Sequence, residues 1–187
     1  MINQNNNNND NDIFVSKIFV GITLFIAVIL FSIAFFNYSN IHFRESIIID
    51  KSQDSIINIL YNPANFSKWN PWQYYDTTII YQVEFLPNQK ISKLYWHSPT
   101  HPLTKGHLFI DKTEKYKLII DADLAEQTHG TIEFSTYQDE NGRTLLQFDY
   151  TAEYPLDPMK RLYGFAMQFY FPNDMKQALK LLKSNIE

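Results

Sequence analysis

The chain has 187 residues, no cysteine, a formal net charge of -4, and hydrophobic and aromatic fractions of 45% and 16%. That length accommodates one ordinary domain with a packed core plus an appendage. The acidic balance leaves no broad cationic surface for a phosphate backbone, so no nucleic-acid partner is expected, and the lack of cysteine excludes disulfides, thiol catalysis and thiolate metal sites.

In chain order, residues 1–12 are dominated by asparagine, with an unbroken run from Asn5 to Asn9. Such a stretch buries no apolar area and reads as a disordered tail. Residues 13–39 hold the next unit. From Ile18 to Phe36 there is no charged side chain, and a helix of that length spans roughly 28 Å, close to a hydrocarbon core. Apolar character on every face favours a single-pass transmembrane anchor over a buried soluble helix. The rival is a cleaved signal peptide, for which Ser32-Ile33-Ala34 offers a small-x-small cut site, but only Lys17 precedes the span as a positive charge. Lys17 before the span against Arg44 and Lys51 after it leans slightly toward a cytosolic domain.

The folded part occupies residues 40–187. Ile41 to Asp50 has a strand pattern ending in Ile47-Ile48-Ile49. Ser52 can cap a helix carrying Ile56, Ile59 and Leu60 on one face, which Asn62-Pro63 ends. A second short helix is predicted from Ala64 to Trp69, since Pro71 biases Asn70 away from helical geometry. Six strands follow: Thr77–Phe85, Ser92–Trp96, Gly106–Lys112, Tyr116–Leu124, Thr131–Tyr137 and Thr144–Tyr154. The breaks between them, Leu86 to Gln89, Pro99 with Pro102, and Asp139 to Gly142, suit consecutive antiparallel strands. Apolar residues take one alternate set, while Lys117, Asp121, Glu133, Gln147 and Asp149 take the other, so the sheet has a dry and a wet face.

The last segment is the predicted cover for the dry face. Met159, Leu162, Tyr163, Ala166, Phe169 and Tyr170 follow helical spacing, as do Met175, Ala178, Leu179, Leu182 and Ile186. Pro172 predicts a kink or break, with Asn173 or Asp174 capping the restart.

This order resembles the START-like, Bet v 1-like superfamily, the SRPBCC or polyketide cyclase/dehydrase type. The resemblance rests on Arg44 to Ile49 as opening strand, Trp69-Asn70-Pro71-Trp72 after the second helix, Trp96 followed by Gly106, and Asn141-Gly142-Arg143-Thr144 with Leu146 and Phe148. It extends to the final helix from Gly164 to Lys183. It covers roughly residues 41–187. Where many relatives carry glycines between the second and third strands, this chain has Leu86 to Lys90. The resemblance implies an α+β helix-grip fold: a curved antiparallel sheet of about seven strands around a long C-terminal helix, enclosing a cavity for hydrophobic ligands. It turns Trp96, Leu108, Ile110, Ile120, Phe134, Phe148 and Tyr150 toward that cavity, with Tyr81, Tyr163 and Met167 beside them. Trp69 is then packing and Trp72 a rim residue. The same side chains can equally fill a core, and the sequence leaves cavity and core open.

Chemistry has few other footholds. His97, His101 and His107 cluster in sequence, but Pro99 keeps the first two off a shared helical face and no carboxylate lies between Ser98 and Gly106, so no metal or other cofactor is expected. Asp121, Asp123, Glu133 and Asp149 fall on the wet face, where nothing raises a carboxyl pKa. The common hydrolase and phosphate-loop motifs are absent. Three functions stay open: membrane-tethered binding of a hydrophobic small molecule or lipid, a cyclase- or hydrolase-type enzyme using polar cavity residues, and a regulatory or protein-interaction module. The oligomeric state is open too.

Overall fold

The computed structural model describes residues 4–37, 40–85, 92–101, 104–124, 128–154 and 157–187. The chain forms two compact units, residues 1–38 and residues 39–187. The breaks expected at Leu86 to Gln89 and at Pro102 lie outside the described residues.

The first unit is one helix, α1 (Gln4–Asn37). Its stretch Phe14–Ile33 has a mean hydropathy of 2.5 and is long and apolar enough to cross a membrane, a test that a signal sequence also passes. The helix begins at Gln4, so it runs through the asparagine stretch that composition alone assigns to a disordered tail. Once an apolar helix exists, each added residue gains a hydrogen bond without a new nucleation cost, which lets the helix extend into poor helix formers.

The second unit is α+β, a helix-grip fold. Its elements are β1 (Asn40–Ile49), α2 (Gln53–Tyr61), a 3-10 turn at Pro63–Asn65, α3 (Phe66–Trp69), α4 (Trp72–Tyr75), β2 (Ile80–Phe85), β3 (Ser92–His97), β4 (Lys105–Glu114), β5 (Lys117–Leu124), β6 (Thr128–Gln138), β7 (Thr144–Glu153) and α5 (Pro158–Ile186). Ser52 caps α2 by accepting from the Ser55 N–H at 3.3 Å. The seven strands form one antiparallel sheet in the order β1-β7-β6-β5-β4-β3-β2. Strands β2 to β7 are the expected meander, and β1 closes against β7, so α2, α3 and α4 carry the chain from one sheet edge to the other. The β6–β7 turn needs Gly142, whose φ of 79° a side chain would strain.

Alternation places the core. Leu94, Trp96, Leu108, Ile110, Leu118, Ile120, Ile132, Phe134, Leu146 and Phe148 are buried on the dry face, together with Ile56, Leu60, Phe66 and Trp69 from the helices. On the C-terminal half of α5, Met175, Ala178, Leu179 and Leu182 cover that face as expected. Two expectations for α5 need correction. The helix does not break at Pro172, which lies inside a continuous helix, so neither Asn173 nor Asp174 caps a restart. The buried face of the N-terminal half is Gly164, Met167 and Phe171, while Met159, Leu162, Phe169 and Tyr170 are exposed. Residues 162–171 are apolar nearly all round, so periodicity cannot choose a side there. The choice falls to Gly164, where an added Cβ would meet the Tyr154 ring at 2.7 Å.

The same close approach recurs at Gly106, opposite Trp96 in the β3–β4 pairing, where a Cβ would strike Trp96 at 2.5 Å and the Asp123 carbonyl. Both neighbours are fixed by the sheet and the core. Gly106→Ala should therefore destabilise the domain by roughly 1–3 kcal/mol in denaturant unfolding. An unchanged unfolding midpoint would show that Trp96 is not held against β4.

Candidate functional site

The site is built from the Trp69-Asn70-Pro71-Trp72 segment. Asn70 adopts extended geometry at the end of α3 and its side chain is completely buried. A buried amide must be partnered. Its Nδ2 donates to the Tyr81 hydroxyl at 2.9 Å and its Oδ1 accepts from the Trp72 backbone N–H at 3.1 Å. Tyr81 in turn donates to Gln73 Oε1 at 2.6 Å. This linkage ties α3 and α4 to β2 and sends the two indoles to different places. Trp69 points into the core, edge-on to Phe66 and Phe134 at 4.7 and 5.7 Å between ring centroids. Trp72 is only half-buried and stacks on Trp96 at 5.8 Å, with ring planes 20° apart.

Two adjoining voids lie beside that stack. An inner void of about 30 Å³ is lined by Phe66, Trp69, Pro71, Trp72, Trp96, Leu108, Leu124, Ile132, Phe148, Phe171, Asp174, Met175 and Ala178. An outer void of about 80 Å³ is lined by Trp72, Trp96, Thr104, Lys105, Leu124, Tyr163, Met167, Tyr170 and Phe171. The linings share Trp72, Trp96, Leu124 and Phe171. A third void of about 10 Å³ touches Leu108, Ile110 and Ile120. A larger recess of about 500 Å³ at the sheet end holding Asn40, His129 and Glu153 is an open surface feature, away from the interior.

The residues singled out from sequence therefore separate into groups. Trp72, Trp96, Leu108, Phe148, Tyr163 and Met167 border the inner or outer void, and Ile110 and Ile120 the small one. Tyr81 serves the Asn70 linkage. Phe134 packs on Phe148 at 4.6 Å, and Tyr150 on Phe171 at 4.7 Å. Neither lines one of these voids. The Tyr150 hydroxyl is buried without a hydrogen-bond partner among the described residues, and burial pushes its pKa upward.

The side chain that sequence reasoning missed is Asp174. Its Oδ2 accepts from the Trp72 indole N–H at 3.2 Å, and its carboxyl is the one ionisable group in the inner lining. Burial raises its pKa, against the opposing pull of that N–H. A carboxyl held this way can donate a hydrogen bond, move a proton or grip the polar head of an apolar ligand. The sequence did carry a signal: Asp174 falls three residues after Phe171 and four before Ala178, on the buried face.

Other polar groups serve structure. Asp149 was expected in solvent but is buried, because His42, Arg44 and Gln147 close over it at 2.8, 2.6 and 2.6 Å. Burial alone would raise its pKa; Arg44, Gln147 and His42 together outweigh that and hold it below the usual carboxylate range. Asp76 gathers Thr78, Thr100 and His101 around the start of β2, with His101 Nδ1 at 3.1 Å. Among the described residues no three His, Asp or Glu side chains are placed to hold a metal ion.

No family model matches this chain, and no curated protein sequence does. Solved structures do match its fold. The di-domain aromatase/cyclase StfQ of steffimycin biosynthesis superposes with a TM-score of 0.56 at 12% identity, over 78% of this chain and 50% of its own. This chain thus spans half the length of that protein. The Zhui aromatase/cyclase from a Streptomyces species gives 0.55 at 11% identity, over 78% of this chain and 93% of that one. The Aha1 dimer structure from Colwellia psychrerythraea gives 0.54 at 14%, over 79% and 96%. At these identities, what the chain shares with them is the fold.

Three substitutions test this geometry. Asn70→Ala strands the Tyr81 and Trp72 groups and should cost about 1–3 kcal/mol in unfolding free energy. Because folding raises the Asp174 pKa, ionising that carboxyl costs stability as pH rises through the raised value. Asp174→Asn keeps an acceptor for Trp72, so it should raise the melting temperature at pH 7 and leave it unchanged in acid, where both side chains are neutral. Asp149 has the opposite sign, with its contribution present above the ordinary carboxylate range and lost as pH falls through the lowered value. Asp149→Asn should therefore destabilise at pH 7 and have little effect once the native carboxyl is protonated.

Proposed function

We propose that the chain is a membrane-tethered binding module that takes a hydrophobic small molecule or lipid between the sheet and α5. The observation that carries this reading is the pair of adjoining voids divided by Trp72 and Trp96, the inner one apolar apart from the Asp174 carboxyl and the outer one rimmed by Thr104, Lys105, Tyr163 and Tyr170. As closed here they are far below the roughly 300–1,000 Å³ of a filled ligand site. Trp72 is the movable part of the wall. It sits on a four-residue helix, is half-buried, and its indole is held by one hydrogen bond to Asp174 and by stacking on Trp96. Swinging it outward joins the voids. The apolar Phe14–Ile33 segment supports the tether, and the fold shared with aromatase/cyclases supports a ligand-sized interior once open.

Asp174 favours a second reading, in which the module is a cyclase- or hydrolase-type enzyme and this carboxyl acts as acid or base at the bound ligand. A carboxyl whose pKa burial raises, set beside an apolar void, is placed to exchange a proton with a bound ligand.

Native mass spectrometry of the full chain released from lipid nanodiscs tests the binding reading. A retained lipophile is expected, and Leu124→Trp, which fills the wall common to both voids, should abolish it. No adduct on the folded native chain, with or without added lipophiles, contradicts the reading. An Asp174→Asn variant that retains an adduct unchanged, where the native chain converts it, would favour the enzyme.

A further inference from the structure

The first three turns of α5 present an apolar face to solvent. Met159 and Phe169 are each 70% exposed, Leu162 49% and Tyr170 41%. Leu162 and Phe169 lie opposite Gly164, Met167 and Phe171, with Met159 and Tyr170 on the flank, and no charged residue occurs between Arg161 and Asp174. Farther along the same helix the outward residues become Lys176 and Lys180, so the apolar face is confined to the N-terminal half. A contiguous patch of large side chains, bounded by polar ones, marks a contact surface.

Chain connectivity limits what is within reach of it. Asn40, the first residue of β1, pairs with Glu153, the last of β7, and α5 begins soon afterwards at Pro158. The exposed turns therefore start at the sheet end where the chain arrives from α1. Only Tyr38 and Ser39 separate Asn37 from Asn40, a span of at most about 11 Å. If Phe14–Ile33 crosses a bilayer, that short link keeps lipid within reach of Asn40. The residue types suit the lipid interface, with Met, Leu and Phe for the acyl boundary and Tyr170 for the headgroup level. Tyr170 also borders the outer void, which places the void's rim beside this face.

We infer that the outward face of Met159, Leu162, Phe169 and Tyr170 seats the domain on the lipid bilayer, so that a lipophile enters the outer void from lipid. This rests on the reading of α1 as a membrane anchor.

The absence of native cysteine makes a site-specific test clean. Full chains carrying Phe169→Cys, Met159→Cys, Tyr137→Cys or Ile26→Cys, each labelled with the dye NBD, are placed in phosphatidylcholine nanodiscs with and without doxyl-labelled lipid. Tyr137 is exposed at the opposite sheet end, pairing with Leu145, and Ile26 sits within the apolar span. Labels at 169, 159 and 26 should show blue-shifted emission that doxyl lipid quenches, whereas the label at 137 should show neither. Quenching at 26 with none at 159 or 169 overturns the seating while leaving the anchor intact. A blue shift at 169 without quenching places a second copy or another protein on the face and also overturns it. No quenching at 26 removes the anchor, and the seating with it.

Discussion

The buried amide of Asn70 is the constraint on which the arrangement of the interior depends. One side chain, shut off from water, holds the Trp72 backbone through its oxygen and the Tyr81 hydroxyl through its nitrogen. Neither bond is easily replaced by water, since the group is fully enclosed. The result is a fixed turn that drives Trp69 inward among Phe66 and Phe134 and leaves Trp72 leaning on Trp96. Packing then belongs to one indole and the wall of the voids to the other. Without that turn, α4 loses its hydrogen-bonded tie to α3 and β2, and only side-chain packing and the Trp72–Asp174 bond hold it over the sheet.

Around this linkage the domain grades from rigid to yielding. The side of the dry face toward β5, β6 and β7 is filled by interlocked side chains, with Leu118, Ile120, Phe134 and Leu146 essentially inaccessible. The side near α4 and the first half of α5 is incomplete. There the voids gather, Trp72 is half-buried, and Asp174 brings a carboxyl into carbon surroundings. A carboxyl in that position weakens the native packing in exchange for chemistry that an apolar residue lacks. Its bond to Trp72 links the protonation of one to the placement of the other.

Much of this was legible in the sequence. Alternation located the strands and their dry face, because burying one side of a sheet forces a period of two. Ser52 announced α2 through its capping oxygen, and the tryptophan segment announced the turn before β2. Where the sequence misled, the cause is specific. In residues 162–171 apolar side chains surround the helix, so no periodicity distinguishes the side toward Tyr154 from the side toward solvent. Pro172 suggested a kink or a break, and packing through Phe171 and Met175 carries the helix across it unbroken. That expected break disguised Asp174 as a cap. Asp149 looked solvated because alternation says which face a residue is on, but not that His42 and Arg44 from β1 will close over it.

In the proposed binding module Trp72 is the wall that moves and Trp69 the one that stays. The chain's three tryptophans allow this to be read directly, by fluorine NMR of the full chain in nanodiscs with 5-fluorotryptophan incorporated and each signal assigned by a Trp→Phe variant. On titration with a medium-chain fatty acid, the Trp72 and Trp96 resonances should shift to a saturable limit while Trp69 stays in place. Three unmoved resonances, or a uniform shift of all three without saturation, would show that Trp72 does not open to a ligand.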